Sequence, residues 1–288
     1  MKELCFNRKF FALAATTVVG DNLLLFYFTK NTANDLLGFV LAAAVVTACA
    51  FFIKFALKSK TLLNFKNKPF ISWVLFLGLS AAILISLTFC LLNLSAYVSG
   101  VMLKGSSIVL PFIAFLGLSV VLAFSKREKL FKFSLLIFPL FAVLIFLMFG
   151  FSLPFAQIKY LIPYKAPTLF GFLDSFVRYF LYFISSLLPL SVLGKNIKNP
   201  PMALSFIFGL GFVLISFLNT LLVFGSEFAS TLIYPYSSAV STASIGHIFS
   251  RLDIFLYIVC FFCGLIKAAV CLFSFRVILK QKIKKILY

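Results

Sequence analysis

The chain has 288 residues, of which 63% are hydrophobic and 11% are charged, and its formal net charge is +19. Soluble domains carry roughly 45–50% apolar and about 25% charged residues, so this composition excludes a water-soluble globular protein. The positive charge does not indicate a nucleic-acid partner, because the basic residues lie in short loops between apolar runs, where they set membrane topology. The composition therefore predicts an all-α, polytopic protein whose surroundings are the lipid bilayer.

Eight apolar stretches approach the roughly 20 residues that a helix needs to cross a bilayer. Their predicted ranges are 10–29, 35–53, 71–94, 105–124, 133–153, 171–193, 202–224 and 254–275. Of the 26 Lys and Arg residues, 19 fall on one side of these spans, five fall on the other side, and two lie within spans. Because basic loops stay in the cytoplasm, this asymmetry predicts that both termini are cytoplasmic and that residues 1–288 form a single transmembrane domain.

Two segments on the predicted outer side are longer than a simple turn. Residues 154–170 contain three prolines and two tyrosines, a composition that predicts a position at the membrane interface. Residues 225–253 contain a moderately polar stretch, Ser237–Ser250, which we predict to form a short surface helix.

Span 1 contains polar residues near the middle of the membrane, where such residues are costly and mark candidate functional positions. These residues are Thr16, Thr17 and the triplet Gly20-Asp21-Asn22. A glycine, two hydroxyls and an acid at this depth predict a broken helix, a device with which transporters bind substrates or ions. The alternative interpretation is a structural acid that a neighbouring helix satisfies.

Span 6 contains an acid and an arginine four residues apart, Asp174 and Arg178, which therefore share one helix face. Arg178 lies at a depth similar to that of Asp21, and we predict that these two side chains approach each other across spans 1 and 6. The alternative interpretation is a self-neutralising pair of Asp174 and Arg178 near the outer interface.

Deeper in span 6, Ser185 and Ser186 precede Pro189. The proline removes a backbone donor and frees a carbonyl about one turn earlier, and the two serines are candidates to meet that polarity. The pattern indicates either a second broken helix or a proline kink.

Span 8 contains Lys267 close to its centre, too deep for easy snorkelling toward the outer side, although inward snorkelling is open to it. One interpretation is that the amine takes the place of a bound cation in a ligand site. The other is that it pairs with carbonyls freed by the break in span 1. The complete set of predicted ligand-binding residues is Thr16, Thr17, Gly20, Asp21, Asn22, Arg178, Ser185, Ser186 and Lys267.

Enzymatic chemistry has no basis in the sequence. The spans contain no Ser-His-Asp arrangement, no phosphate-binding glycine loop and no paired acids, and the single histidine, His247, has no cluster around it. We therefore expect a protein that is not an enzyme and that uses no metal and no cofactor.

Several short motifs follow one another along the chain. They are Asn34-Asp35-Leu36-Leu37-Gly38, Gly225-x-Glu227, Tyr234-Pro235, Ser244-Ile245-Gly246, Arg251-Leu252-Asp253 and Gly264-Leu265-Ile266-Lys267. Their order and spacing resemble the spore germination permease family, the membrane-embedded B subunit of nutrient germinant receptors. That family is similar in turn to amino acid–polyamine–organocation transporters.

The resemblance implies an inverted-repeat fold of five plus five helices, with spans 1 and 6 broken and a nutrient bound between them. It also implies an A-type membrane subunit and a C-type lipoprotein as partners, and the spore inner membrane as location. The family has ten spans, so eight spans predict an incomplete second repeat. Where the family has loop charges, this chain has Ser238, Ser241, His247 and Ser250.

Three functions follow from these observations. The first is a membrane subunit of a spore nutrient-germinant receptor that binds a small nutrient, such as an amino acid, and signals germination. The second is a proton- or sodium-coupled amino acid transporter. The third is a degenerate membrane scaffold that binds no ligand.

Overall fold

The computed structural model describes residues 2–20, 22–24, 26, 28–58, 69–103, 105–162, 166–194, 197, 200–242 and 253–287. These residues form α-helices and short turns, with no β-strand among them. The helices are α1 (Lys2–Val19), α2 (Thr32–Lys58), α3 (Pro69–Tyr97), α4 (Val109–Phe124), α5 (Arg127–Ser152), α6 (Leu169–Gly194), α7 (Met202–Ala229), α8 (Pro235–Thr242) and α9 (Asp253–Leu287).

Six helices in the described part of the chain, namely α2, α3, α5, α6, α7 and α9, are long and apolar enough to cross a membrane. Helix α4 is equally apolar but has only 16 residues. The predicted all-α, polytopic membrane architecture is confirmed. The count of eight spans and the five-plus-five repeat remain predictions.

Helix α1 ends halfway along the predicted first span. Its last residue is Val19, and Gly20 follows in a left-handed conformation with φ +25°. A short 3-10 turn, Asn22–Leu24, comes next, and Phe28 and Thr29 are not helical. The helix break predicted from the Gly20-Asp21-Asn22 triplet is thus confirmed. Glycine favours the break, because it adopts this φ without the strain that a side chain causes. Asp21 itself lies outside the described residues.

Helix α6 runs without interruption through Pro189, from Leu169 to Gly194. The second broken helix, which the family resemblance implied and which was one of the two interpretations of the proline, is therefore absent from α6. Hydroxyl groups of neighbouring helices make the continuous helix possible, as described for the site below.

Glycines set the closest helix contacts, as expected in membranes, where small residues let helices approach. A Cβ atom added at Gly38 of α2 would lie 2.6 Å from Ser175 Cβ of α6, and one at Gly209 of α7 would lie 2.7 Å from Val18 Cβ of α1. Gly264 of α9 packs in the same way against Leu94 of α3. These three contacts pair α2 with α6, α1 with α7, and α3 with α9.

Helix α8 is buried along most of its length, so the predicted surface helix is wrong for residues 237–240, while Ser241 and Thr242 are exposed. Tyr236, Ala239 and Val240 are at most 1% exposed. The Tyr236 ring meets the Phe26 ring just after the break in α1, with their centroids 6.0 Å apart. The moderate polarity of Ser237–Ser250 suggested contact with solvent, but apolar side chains of α8 pack against the segment that follows the helix break in α1. Residues 243–250 of the predicted helix lie outside the described residues.

We predict that Gly38→Ala destabilises the protein, because the added methyl group would collide with α6. Overpacking of this kind costs about 1–3 kcal/mol. Thermal unfolding of the purified protein in detergent measures the effect. Gly78→Ala is the matched control, since Gly78 lies in α3 with no atom within 4 Å of an added Cβ. Equal melting temperatures for the two variants would contradict the close α2–α6 contact.

Candidate ligand-binding site

The Lys267 side chain is 1% exposed in the middle of α9 and lies across the broken end of α1. Its methylene groups pack against Gly20, where an added Cβ would lie 2.8 Å from Lys267 Cδ. Its amine donates a hydrogen bond of 3.2 Å to Ser185 Oγ of α6. The structure thus brings together three of the predicted site residues, one each from α9, the break in α1, and α6.

The end of α1 is electrostatically suited to a neighbouring cation, because the carbonyl end of a helix carries partial negative charge. Two of its last carbonyls are satisfied locally. The Gly20 amide donates to Thr16 O at 2.9 Å, and the Asn22 side-chain amide donates to Val18 O. The break is therefore a stable, capped helix end beside the lysine.

Serine hydroxyls of α3 and α9 donate hydrogen bonds to backbone carbonyls of α6 around Pro189. Because Pro189 has no N–H, the carbonyl of Ser185 lacks its helical donor. Ser86 Oγ of α3 takes that role at 3.0 Å. Ser274 Oγ of α9 donates to the carbonyl of Pro189 at 2.8 Å. The expectation that Ser185 and Ser186 meet the freed polarity was wrong for Ser185, whose hydroxyl donates to Tyr182 O at 2.6 Å.

The remaining predicted residues near the break divide into two groups. Thr16 and Thr17 are fully buried, and their hydroxyls donate within α1 to the carbonyls of Ala12 and Leu13. Ser186 Oγ and Asn22 Oδ1 are buried and have no hydrogen-bond partner within the described part of the chain. A buried polar atom without a partner costs about 1–3 kcal/mol, so Ser186 and Asn22 are the better candidates for contact with a ligand.

Arg178 forms an ion pair with Asp174, with 2.9 Å between Arg178 Nε and Asp174 Oδ1. The two side chains are 44% and 42% exposed. This geometry fits the self-neutralising pair. The approach of Asp21 to Arg178 stays a prediction, because Asp21 is not among the described residues.

A buried acid that sequence reasoning did not treat as a site residue, Asp35, joins α2 to the chain beyond the break. Its carboxylate is fully buried and accepts hydrogen bonds from the Thr29 amide at 2.9 Å and the Thr29 hydroxyl at 2.8 Å. It also accepts one from Ser175 Oγ of α6 at 3.2 Å. An acid in the motif Asn34-Asp35 was a possible sign of this role, but the partner Ser175 is distant in sequence, so the contact could not be predicted.

The same motif caps α6. Asn34 Oδ1 accepts a hydrogen bond of 2.9 Å from the Thr168 amide, and Asn34 Nδ2 donates to Thr168 Oγ1 at 3.2 Å. Asn31 Nδ2 donates to Ala166 O at 3.0 Å. The start of α6 is therefore fixed to the start of α2.

An aromatic layer covers the side of the break that leads toward Lys30. We use this term for Phe26, Phe28, Phe39, Tyr179, Phe183, Phe217 and Tyr236. Phe217 of α7 lies at its centre, with ring centroids 5.2 Å from Phe28, 4.7 Å from Phe39 and 5.8 Å from Tyr179. Burial raises the pKa of the Tyr236 phenol, which therefore stays neutral. The layer closes this side of the site.

Arg127 joins three helices at the C-terminal end of α6, and we call this set of contacts the inner clamp. Arg127 Nη2 of α5 donates a hydrogen bond of 2.8 Å to Leu193 O at the end of α6. Its guanidinium carbon lies 5.3 Å from the Phe6 ring centroid of α1 and 5.2 Å from that of Phe131. One cation thus holds the ends of α1, α5 and α6 together through a helix terminus and two ring faces.

Comparison with known proteins identifies one family. The sequence profile of the family described as spore germination protein matches residues 9–287. No curated protein and no solved structure matches the chain at a significant level.

We predict that Ser86→Ala lowers thermal stability, because it leaves the carbonyl of Ser185 buried without a donor. The expected loss is about 1–3 kcal/mol. Ser80→Ala in the same helix is the control, since Ser80 Oγ is buried and has no partner within the described residues. The comparison of the two melting temperatures is the measurement, and a loss for Ser80→Ala as large as for Ser86→Ala would contradict the assigned bond.

Proposed function

Because the chain belongs to the spore germination protein family, we propose that it is the membrane subunit of a spore nutrient-germinant receptor and binds a small nutrient at the break in α1. The observation that carries the proposal is the contact of the buried Lys267 with Gly20 and Ser185. Asn22 Oδ1 and Ser186 Oγ, which lie one or two positions along the chain from those contacts, have no hydrogen-bond partner among the described residues. A buried amine in a membrane protein is costly and by default marks a functional site.

The site chemistry favours a free amino acid as the nutrient. The ammonium of Lys267 supplies a fixed positive charge, in the place that a bound cation takes in transporters with broken helices. A nutrient carboxylate would form a charge-assisted hydrogen bond with it. Asn22 Oδ1 and Ser186 Oγ are acceptors for a nutrient ammonium group. Asp21, next to Gly20 in sequence, adds an acid to the predicted site.

Nutrient binding would signal by selecting between two helix arrangements. The aromatic layer closes one side of the site, and the inner clamp holds the ends of α1, α5 and α6 together, so a nutrient requires rearrangement of α1 or α6 to enter. A ligand shifts such an equilibrium only through contacts that differ between the two states. Transfer of the Lys267 amine from Ser185 to the nutrient provides that difference, and the altered position of α6 passes to the A-type and C-type subunits that the family implies.

Two experiments separate the receptor from the other functions. Uptake of labelled amino acid into proteoliposomes that Asp21→Asn abolishes would identify a coupled transporter instead. Co-purification of A-type and C-type subunits, with no amino acid shifting the melting temperature, would identify a scaffold. The receptor interpretation expects co-purification together with a nutrient-dependent thermal shift.

We predict that Lys267→Met abolishes the thermal shift that L-alanine or another effective amino acid produces, because the nutrient loses its fixed cation. Lys280→Met is the control, since it makes the same change on the exposed end of the same helix. Germination of spores that carry each variant gives the second readout. An undiminished thermal shift in Lys267→Met would contradict the proposed site.

A further inference from the structure

A cavity of about 320 Å³ lies away from Lys267, between the start of α2, the 3-10 turn Ile158–Leu161 and the bend in α7. Small-molecule sites range from roughly 300 to 1,000 Å³, so this volume suits an amino acid rather than a larger nutrient. Lys30, which lines the cavity, belongs to a loop that the charge pattern predicts to be outside. The residues that line the cavity include Lys30, Thr32, Tyr160, Ser226, Glu227 and Phe228.

The walls of the cavity are fixed by contacts between segments that are distant in sequence. Thr32 Oγ1 lies 3.0 Å from Ser226 Oγ and donates to Tyr160 O at 3.4 Å. Gly225 interrupts α7 with φ +69° and ψ 166° and lies against the Tyr160 ring, where an added Cβ would be 3.2 Å from Tyr160 Cδ1. The bend in α7 and the turn therefore form one preassembled surface.

The charges of the cavity match both ends of a zwitterion. Lys30 supplies a cation and Glu227 supplies a carboxylate, while the Tyr160 ring adds an apolar surface. Lys30 also adopts a left-handed φ of +68°, which costs a residue with a side chain about 1–2 kcal/mol. A glycine would avoid that cost, so the lysine side chain at this position calls for a role.

We propose that this cavity is a second binding site, separate from the one at the break in α1, and that it takes a small zwitterionic amino acid. Lys30 holds the carboxylate, Glu227 holds the ammonium group, and the amino acid side chain lies against Tyr160. A molecule that carries only one of the two charged groups forms a charge-assisted hydrogen bond with Lys30 or with Glu227 but not with both, and therefore binds more weakly.

Direct binding of radiolabelled L-alanine and L-leucine to the purified full chain in nanodiscs tests the proposal. The measurements use the Lys267→Met background, which removes the cation of the buried site. In that background, Lys30→Met and Glu227→Gln are each expected to weaken binding about tenfold or more, the effect of losing one charge-assisted hydrogen bond. Lys159→Met is the matched control, because Lys159 lies over the Tyr160 ring but does not line the cavity.

Two further measurements keep the proposal testable if the Lys267→Met chain does not fold. Propionate and ethylamine, which carry one charged group each, should compete with L-alanine at least about tenfold more weakly than L-leucine does. With Lys267 intact, L-alanine should slow the reaction of Phe228→Cys with a membrane-impermeant maleimide, because Phe228 lines the cavity and is 54% exposed.

The proposal is overturned if Lys30→Met and Glu227→Gln both keep the parent affinity, or if L-alanine leaves the labelling of Phe228→Cys unchanged. Loss of all binding in a folded Lys267→Met chain also overturns it, since binding would then occur only at the buried site. Both sites would be supported if Lys267→Met loses the thermal shift with L-alanine while L-alanine still protects Phe228→Cys from labelling.

Discussion

The burial of one amine, that of Lys267, constrains the arrangement of α1, α6 and α9. A lysine near the centre of a membrane helix costs about 2.5–3.5 kcal/mol on insertion scales. A hydrogen bond to a charged group contributes about 1.5–3 kcal/mol. The bond from the Lys267 amine to Ser185 Oγ is thus of the size needed to hold the lysine inside, while the lysine methylenes pack against Gly20.

The helix break and the continuous proline-containing helix serve this one site in different ways. Gly20 ends α1 and leaves space for the lysine methylenes, since any side chain there would meet them. Because Pro189 has no N–H, the carbonyl of Ser185 accepts a hydrogen bond from Ser86 Oγ instead. Helix α6 thus stays continuous and is bonded to α3. The site therefore has one wall at the capped helix break and one wall, α6, that is anchored through Asn34 and Asp35.

The sequence was informative where a single local signal decided the structure. The helix break at Gly20 in span 1 and the central lysine of span 8 could both be recognised, because polar or flexible residues in an apolar run have few explanations. The burial of α8 was not predictable from its moderate polarity, since burial depends on which other segments pack against a helix in the folded protein. The pairing of Ser86 with Ser185 and of Asp35 with Ser175 joins residues 99 and 140 positions apart, and no local pattern specifies such partners.

An experimental structure of the purified protein by electron cryomicroscopy, with and without saturating L-alanine, tests the central claim most directly. We predict that α1 ends at Val19, that the Lys267 amine lies within hydrogen-bond distance of Ser185 Oγ, and that added amino acid gives density beside them. A first helix that continues through Gly20, or a Lys267 side chain that extends along α9 away from Ser185, would contradict this prediction.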